Sequence, residues 1–211
     1  MLVAASHDLR TPLTRLKLRI DRLADSQPKS AMLEEIATNN EMLTETIAYM
    51  REIGRTEAPI ATDLPSLAQT ICAQFADAGR NVAYCGPDQL ALTCRPRALT
   101  RAISNLADTA SRTSASVQVS VEPRGADVSI EVRDDGPGIP ERMLGRVFEP
   151  FFKGDDARTR RLGGGFGLGL SIVREIAAGH GGEVELENIQ PHGGPPRYGC
   201  RKSASSIRTA L

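Results

Sequence analysis

The chain has 211 residues and a mass of 22.7 kDa, enough for one or two domains and a real hydrophobic core. Its 26 Lys and Arg balance its 26 Asp and Glu, so wholesale binding to nucleic acid or to an acidic membrane surface has no electrostatic support. No run approaches the ~18 apolar residues of a membrane span, no signal-peptide core opens the chain, and the 4 Cys show neither zinc nor disulfide spacing, so a soluble cytoplasmic chain with reduced thiols is expected. Glycine is unevenly placed: of 19, only Gly54, Gly79, Gly86 and Gly125 precede residue 136.

From Leu2 to Ile53 the sequence is free of glycine and broken only at Ser26-Gln27-Pro28-Lys29-Ser30. Before the break Leu9, Leu13, Leu16, Ile20 and Leu23 recur at steps of four and three; after it Leu33, Ile36, Asn40, Leu43, Ile47 and Met50 continue the rhythm. This heptad pattern predicts a helical hairpin with an apolar seam on each arm. Two helices cannot cover both seams, so a second copy should complete a four-helix bundle; two surface helices of a larger monomer are the alternative.

Gly54 to Leu64, with its glycine and prolines, reads as a linker. A helix is predicted over Pro65–Ala78, strands near Asn81–Cys85 and Leu90–Cys94, and a helix over Pro96–Arg112 with proline in its first turn. Val117–Val121 and Val128–Arg133 alternate as strands, Leu168–Ala178 is helical, and Glu183–Glu187 is a strand. Helices among mostly antiparallel strands predict an α+β sandwich.

Several segments carry groups able to do chemistry. His7 lies about 200° around the helix from Leu9 and should face solvent, with Asp8 beside it and Thr11 one turn on. A carboxylate can hold the imidazole tautomer and take its proton while Nε2 attacks an electrophile, although most exposed histidines are simply solvated. Asp134-Asp135-Gly136-Pro137-Gly138 ends a predicted strand; its glycines admit close ligand approach and its carboxylate can accept from an exocyclic amine, yet the same run also serves as an ordinary turn. Gly163 to Leu170 (GGGFGLGL) runs into a helix start and exposes N–H groups suited to phosphate, or forms a lid without ligand. On the Pro96–Arg112 helix, Leu99, Ile103, Leu106 and Ala110 form a core stripe, whereas Asn105, Thr109 and Arg112 form a polar stripe that fits a nucleotide phosphate and its metal, or water.

In this order the segments resemble the sensor histidine kinases of two-component systems, over roughly residues 2 to 190. Ser6 to Leu13 (SHDLRTPL) is similar to the phosphoacceptor H box, Arg101 to Thr113 to the N box, Asp134 to Gly138 to the first glycine box, Phe148 to Gly154 (FEPFFKG) to the F box, and Gly165 to Leu170 to the second glycine box. The resemblance implies a dimerisation and phosphotransfer hairpin over 1–55, a linker over 56–62, a Bergerat-type (GHKL) ATP-binding sandwich over 63–190 and an atypical tail over 191–211. It implies ATP and Mg²⁺ as cofactors, His7 as phosphoacceptor, Asp8 as its base and orienter, and Thr11 as a residue that positions water for dephosphorylating a response regulator. Asn105, Thr109, Arg112, Asp134, Gly136, Gly138, Lys153, Gly165, Gly167, Leu168 and Gly169 would contact ATP, Asp134 through the adenine amino group, and Asn105 and Thr109 would hold Mg²⁺. The implied partners are a response-regulator receiver domain and a second copy, with no nucleic acid and no direct membrane contact by this chain.

Three features depart from the family pattern. The second N-box asparagine is replaced by Thr109, whose shorter hydroxyl makes impaired autophosphorylation the expectation; Asp108, about 100° away on the helix, is not expected to substitute. After Gly193-Gly194 the chain reads PPRYGCRKSASSIRTAL in place of an apolar closing strand, so a replaced or frameshifted, disordered tail and an uncovered sheet edge are expected, with a simple exposed basic tail as the alternative. Met1 stands six residues before His7, which reads as the catalytic portion of a longer sensor whose input domain is absent; a parent protein tied to the inner membrane is implied by the family resemblance alone. Two other readings keep the same sequence: a non-catalytic phosphotransfer scaffold that docks a regulator, and an ATP-driven conformational machine that makes no phosphohistidine.

Overall fold

The computed structural model describes residues 2–23, 27–53, 57–125, 127–152, 166–189 and 202–210; the side chains of residues 2–11, 27, 41, 45, 48, 49, 51–53, 189 and 202–210 are outside that description. Chain contacts divide the protein into two compact units, Met1–Arg55 and Thr56–Leu211.

The first unit is a helical hairpin. Helix α1 spans Leu2–Asp21 and α2 spans Gln27–Ile53, and Ile20, Ile36 and Ile47 are buried between them. The turn is fastened by Lys29, whose ammonium donates to the carbonyls of Asp21 (3.2 Å) and Leu23 (2.9 Å). A cation there satisfies carbonyls that the end of α1 leaves open and complements its dipole. Leu16, Leu23 and Met50 of the apolar seams remain exposed within the chain.

The second unit is an α+β sandwich. Strand β1 (Ile60–Asp63) pairs antiparallel with β3 (Ala91–Cys94). Helix α3 (Leu64–Asp77) follows at once. Asp63 caps it through the N–H and hydroxyl of Ser66, and its other oxygen accepts from Leu90 N–H at 2.9 Å. The Ser66 hydroxyl and then the Leu90 N–H favour the ionised carboxylate and hold Asp63 below its ordinary pKa. The expected linker is therefore corrected: from Ile60 onward it is a paired strand, because the β-branched Ile60 and Thr62 favour an extended chain that pairs with β3.

The main sheet has the order β2-β4-β5-β7-β6, with β2 Val82–Cys85, β4 Val117–Arg124, β5 Asp127–Asp134, β6 Glu183–Ile189 and β7 Lys202–Ala210. Only the β2–β4 pair is parallel. Alternation places Val117, Val119, Val121, Val128, Ile130 and Val132 inside, under α3, α4 (Pro96–Ser111) and α6 (Gly169–Gly179). Of the stripe expected on α4, Leu99, Ile103 and Leu106 are sealed, whereas Ala110 is only half-buried; Ala98, Ala102 and Ala107 complete the buried face. A short helix, α5 (Glu141–Leu144), follows the first glycine segment.

The expected loss of the closing strand is also corrected. β7 enters between β5 and β6, with Ile207 in register with Ile130 on one side and Val184 on the other. Strand pairing runs through main-chain groups that any non-proline residue supplies, so small polar residues can close the ladder without an apolar run. Residues 190–201, the other part of that expectation, lie outside the described residues.

Candidate nucleotide site

The polar stripe on α4 faces the start of α6. Asn105 Nδ2 donates to the carbonyl of Gly169 at 3.2 Å, and a Cβ at Gly169 would stand 3.9 Å from Asn105 Cβ and from Thr109 Oγ1. Helical spacing of four puts both side chains on one face, and both stand within van der Waals reach of Gly169 at the start of α6. The Thr109 hydroxyl donates to the Asn105 carbonyl at 2.7 Å, which leaves its lone pairs outward. Asn105 Oδ1 is likewise an acceptor not used in the bond to Gly169. These two hard oxygen donors suit a small divalent cation.

The segment after β5 packs at the exit of α4, just beyond the turn that carries Thr109. Asp134 Oδ1 accepts from Gly136 N–H at 2.8 Å, a local turn that fixes the carboxylate at the strand end. Gly136 is buried so tightly that a Cβ would lie 2.7 Å from Asp134 Oδ1 and 3.3 Å from Thr113 Oγ1. Asp135 Oδ1 accepts from the N–H groups of Ala115 (2.8 Å) and Ser116 (3.0 Å), tying the loop to the exit of α4. Asn188 on β6 then clamps Ile139, accepting from its N–H at 2.9 Å and donating to its carbonyl at 2.6 Å. Neither Asp135 nor Asn188 stands out in the sequence as a tether: a second Asp in the glycine segment is the only signal for the former, and an isolated Asn in a strand gives none.

Phe151 and Gly167 fasten the two sides of the glycine-rich stretch. Phe151 N–H donates to the carbonyl of Gly167 at 3.0 Å. Gly167 has φ +78°, and a Cβ there would be driven into the carbonyl oxygen of Phe152 and to 3.0 Å from the carbonyl carbon of Phe151. Only glycine meets both demands. Phe151 itself has φ +65°, rare for an aromatic residue. Leu168 is sealed at the start of α6, where its carbonyl accepts from the Ser171 hydroxyl at 2.8 Å.

Arg112 is turned toward Asp108, donating from Nε (3.0 Å) and Nη2 (2.7 Å), while Arg80 reaches the other oxygen at 2.9 Å. Asp108 is thus the shared acceptor of two guanidinium groups. His7, Asp8 and Thr11 lie on α1, but their side chains, like Lys153 and Gly165 as a whole, are outside the described residues. Pro12 sits inside that helix and has no N–H for the carbonyl of Asp8 one turn before it. No helix among the described residues is long and apolar enough to cross a membrane, and no group of three or more His, Cys, Asp or Glu among them forms a metal cluster.

Comparison with known proteins accords with this geometry. The family described as "Histidine kinase-, DNA gyrase B-, and HSP90-like ATPase" matches residues 94–201, and "His Kinase A (phospho-acceptor) domain" matches residues 1–59. The sensor histidine kinase GtrS of Pseudomonas aeruginosa is 36% identical over 190 residues, covering 90% of this chain and 39% of GtrS. CpxA of Escherichia coli is 33% identical over 206 residues, covering 90% of this chain and 43% of CpxA, so the chain spans about two fifths of these relatives. The full-length ShkA structure in complex with AMPPNP superposes with a TM-score of 0.68 at 19% identity, covering 99% of this chain and 45% of ShkA, a likeness of fold. With a phosphoacceptor-type hairpin followed by an ATPase sandwich whose motifs converge on α4, the chain belongs to the sensor histidine kinases of two-component systems.

Proposed function

We propose that the chain binds ATP against α4, the first glycine segment and the start of α6, and that its γ-phosphoryl passes to His7 and then to an aspartate of a response-regulator receiver domain. The observation that carries the ATP site is the bond from Asn105 to Gly169, with Thr109 at the same place, because it joins two separate motifs around donors suited to phosphate and metal. In this reading Asp134 accepts from the adenine amino group, while Gly136 and Gly138 leave room for the ring. Gly165, Gly167, Leu168 and Gly169 offer main-chain N–H groups to the phosphates, and Lys153 adds a cation. Arg112 contributes only when its pairing with Asp108 opens. Asn105 Oδ1 and Thr109 Oγ1 would hold Mg²⁺, which supplies charge neutralisation at the phosphates.

His7 attacks the γ-phosphorus through Nε2, forming the N–P bond as the bond to the ADP oxygen breaks, and Asp8 holds the ring tautomer and takes its proton. Thr11 positions water for the reverse task, dephosphorylating the regulator. The exposed Leu16, Leu23 and Met50 are covered by a second copy in a four-helix bundle. The work is placed in the cytoplasm, with a longer parent protein anchored in the inner membrane.

Thr109 favours a second reading, a scaffold that docks a regulator with little catalysis. Titration with an ATP analogue separates the two: the kinase reading expects saturable binding that weakens in Asp134→Asn, whereas the absence of binding would overturn it. With Mg²⁺ present, Thr109→Asn is expected to raise the autophosphorylation rate; an unchanged, already robust rate would show that Thr109 impairs nothing.

A further inference from the structure

Helices α4 and α6 frame the proposed nucleotide site with one pair of ends, and their other ends meet in a separate cluster. Helix α4 starts after Arg95, which has no side-chain oxygen and makes no capping bond, so the first N–H groups of the helix need an outside acceptor. Glu57 provides it: Oε1 accepts from Arg97 N–H and Oε2 from Ala98 N–H, each at 3.1 Å. These are the groups an Asp or Ser at position 95 would ordinarily satisfy. The cap instead comes from forty residues upstream.

The end of α6 holds the same short stretch. Arg95 N–H donates to His180 Nε2 at 3.1 Å, and His180 Nδ1 lies 2.8 Å from the carbonyl of Ile176. The two bonds require a neutral ring with its proton on Nδ1. The Arg95 guanidinium lies over Gly179, where a Cβ would come within 2.5 Å of Nη2. Glu57 itself is four residues beyond Ile53, the last residue of α2. That much chain spans at most ~14 Å, so Glu57 lies on the short covalent path from the hairpin to the second unit.

We propose that Glu57 is a positioning residue that couples the segment after the hairpin to the nucleotide site: holding Arg97 and Ala98, it seats α4 and, through Arg95 and His180, α6. Release of this latch loosens both helices and lowers nucleotide affinity. The inference rests on the ATP reading above. Because coupling is reciprocal, bound nucleotide must in turn tighten the latch.

Trypsin cleavage after Arg55, followed by mass spectrometry with and without AMPPNP and Mg²⁺, tests this in the full chain. In the native protein nucleotide should slow that cleavage by about fivefold or more, and Glu57→Ala should both speed the nucleotide-free reaction and abolish the slowing. Adding Arg95→Asp to Glu57→Ala gives α4 a local cap, which should restore the thermal midpoint but not the nucleotide dependence of cleavage. Protection by nucleotide that is equal in the native chain and Glu57→Ala, or that returns in the double variant, would overturn the proposal. If Glu57→Ala does not fold, Glu57→Gln, which keeps one acceptor oxygen, should show a partial loss, and native behaviour there would count against the latch. A native chain that binds no nucleotide by titration would refute the ATP reading by itself; equal nucleotide-free cleavage of the native and variant chains would then refute the latch separately.

Discussion

The hairpin buries Ile20, Ile36 and Ile47 to 7%, 4% and 7% exposure, yet it leaves Leu16, Leu23 and Met50 at 46%, 54% and 47%. In the second unit Leu64, Leu99, Ile103, Ile130 and Leu168 are sealed, because a sheet face and three helices enclose them from both sides. Similar apolar periodicity has therefore produced two different outcomes. The sandwich completes its core within one chain, while a two-helix hairpin has only one internal face and leaves part of its pattern for another surface. The proposed function uses the same division: the unit proposed to hold ATP has the closed core, and the hairpin proposed to present His7 keeps exposed apolar side chains.

The contrast can be broken most severely at β7. A chain ending at Gly194 loses the strand that pairs with both β5 and β6. Cooperative thermal unfolding and nucleotide binding of the second unit should disappear, while the helical circular dichroism of the hairpin persists. Next in size is Leu16→Glu combined with Leu23→Glu. A fully buried Leu is worth about 1.5–3 kcal/mol, so the pair should raise the dimer dissociation constant about a hundredfold or more in light scattering or sedimentation. The melting of the sandwich should not move.

Gly167→Ala tests how tightly the nucleotide side is fastened. The positive φ and the Phe152 carbonyl together should cost about 1–3 kcal/mol in denaturant unfolding, and analogue affinity should fall with it. The smallest effect is expected at His180. Burial, and more weakly the Arg95 charge, hold this imidazole below its ordinary pKa, against the opposing pull of the Ile176 carbonyl and Glu57. The unfolded chain then binds a proton that the folded chain resists, so His180 favours the folded state above pH ~6.5, and that contribution is lost as the pH falls through the lowered folded value. His180→Gln should flatten the thermal midpoint between pH ~5 and ~7; an unaltered slope would remove His180 as its source.

The parts of this molecule that are legible in its sequence are those governed by short-range spacing. The four-residue step from Asn105 to Thr109 puts both on one face of α4 whatever surrounds it, and the 3.6-residue period seals Leu99 and Ile103. Interactions that cross the chain are not legible in the same way. Asn188 meets Ile139 across 49 residues and Glu57 caps α4 across 40, and nothing in the local composition of either marks its partner. The left-handed backbone of Phe151 accompanies its bond to Gly167 and runs against the residue's own preference. β7 is illegible for a different reason: most of its side chains are small and polar, and the ladder it completes depends on main-chain groups that a hydrophobic pattern does not report.

In the proposed function, ATP held at the nucleotide site is attacked by a nucleophile on the hairpin, His7. Incubating the native chain and His7→Ala with γ-labelled ATP and Mg²⁺ tests it most directly. The account predicts a label on the native protein that is labile to acid and stable to base, and that is lost in His7→Ala; a label of the same stability that persists in His7→Ala would contradict it.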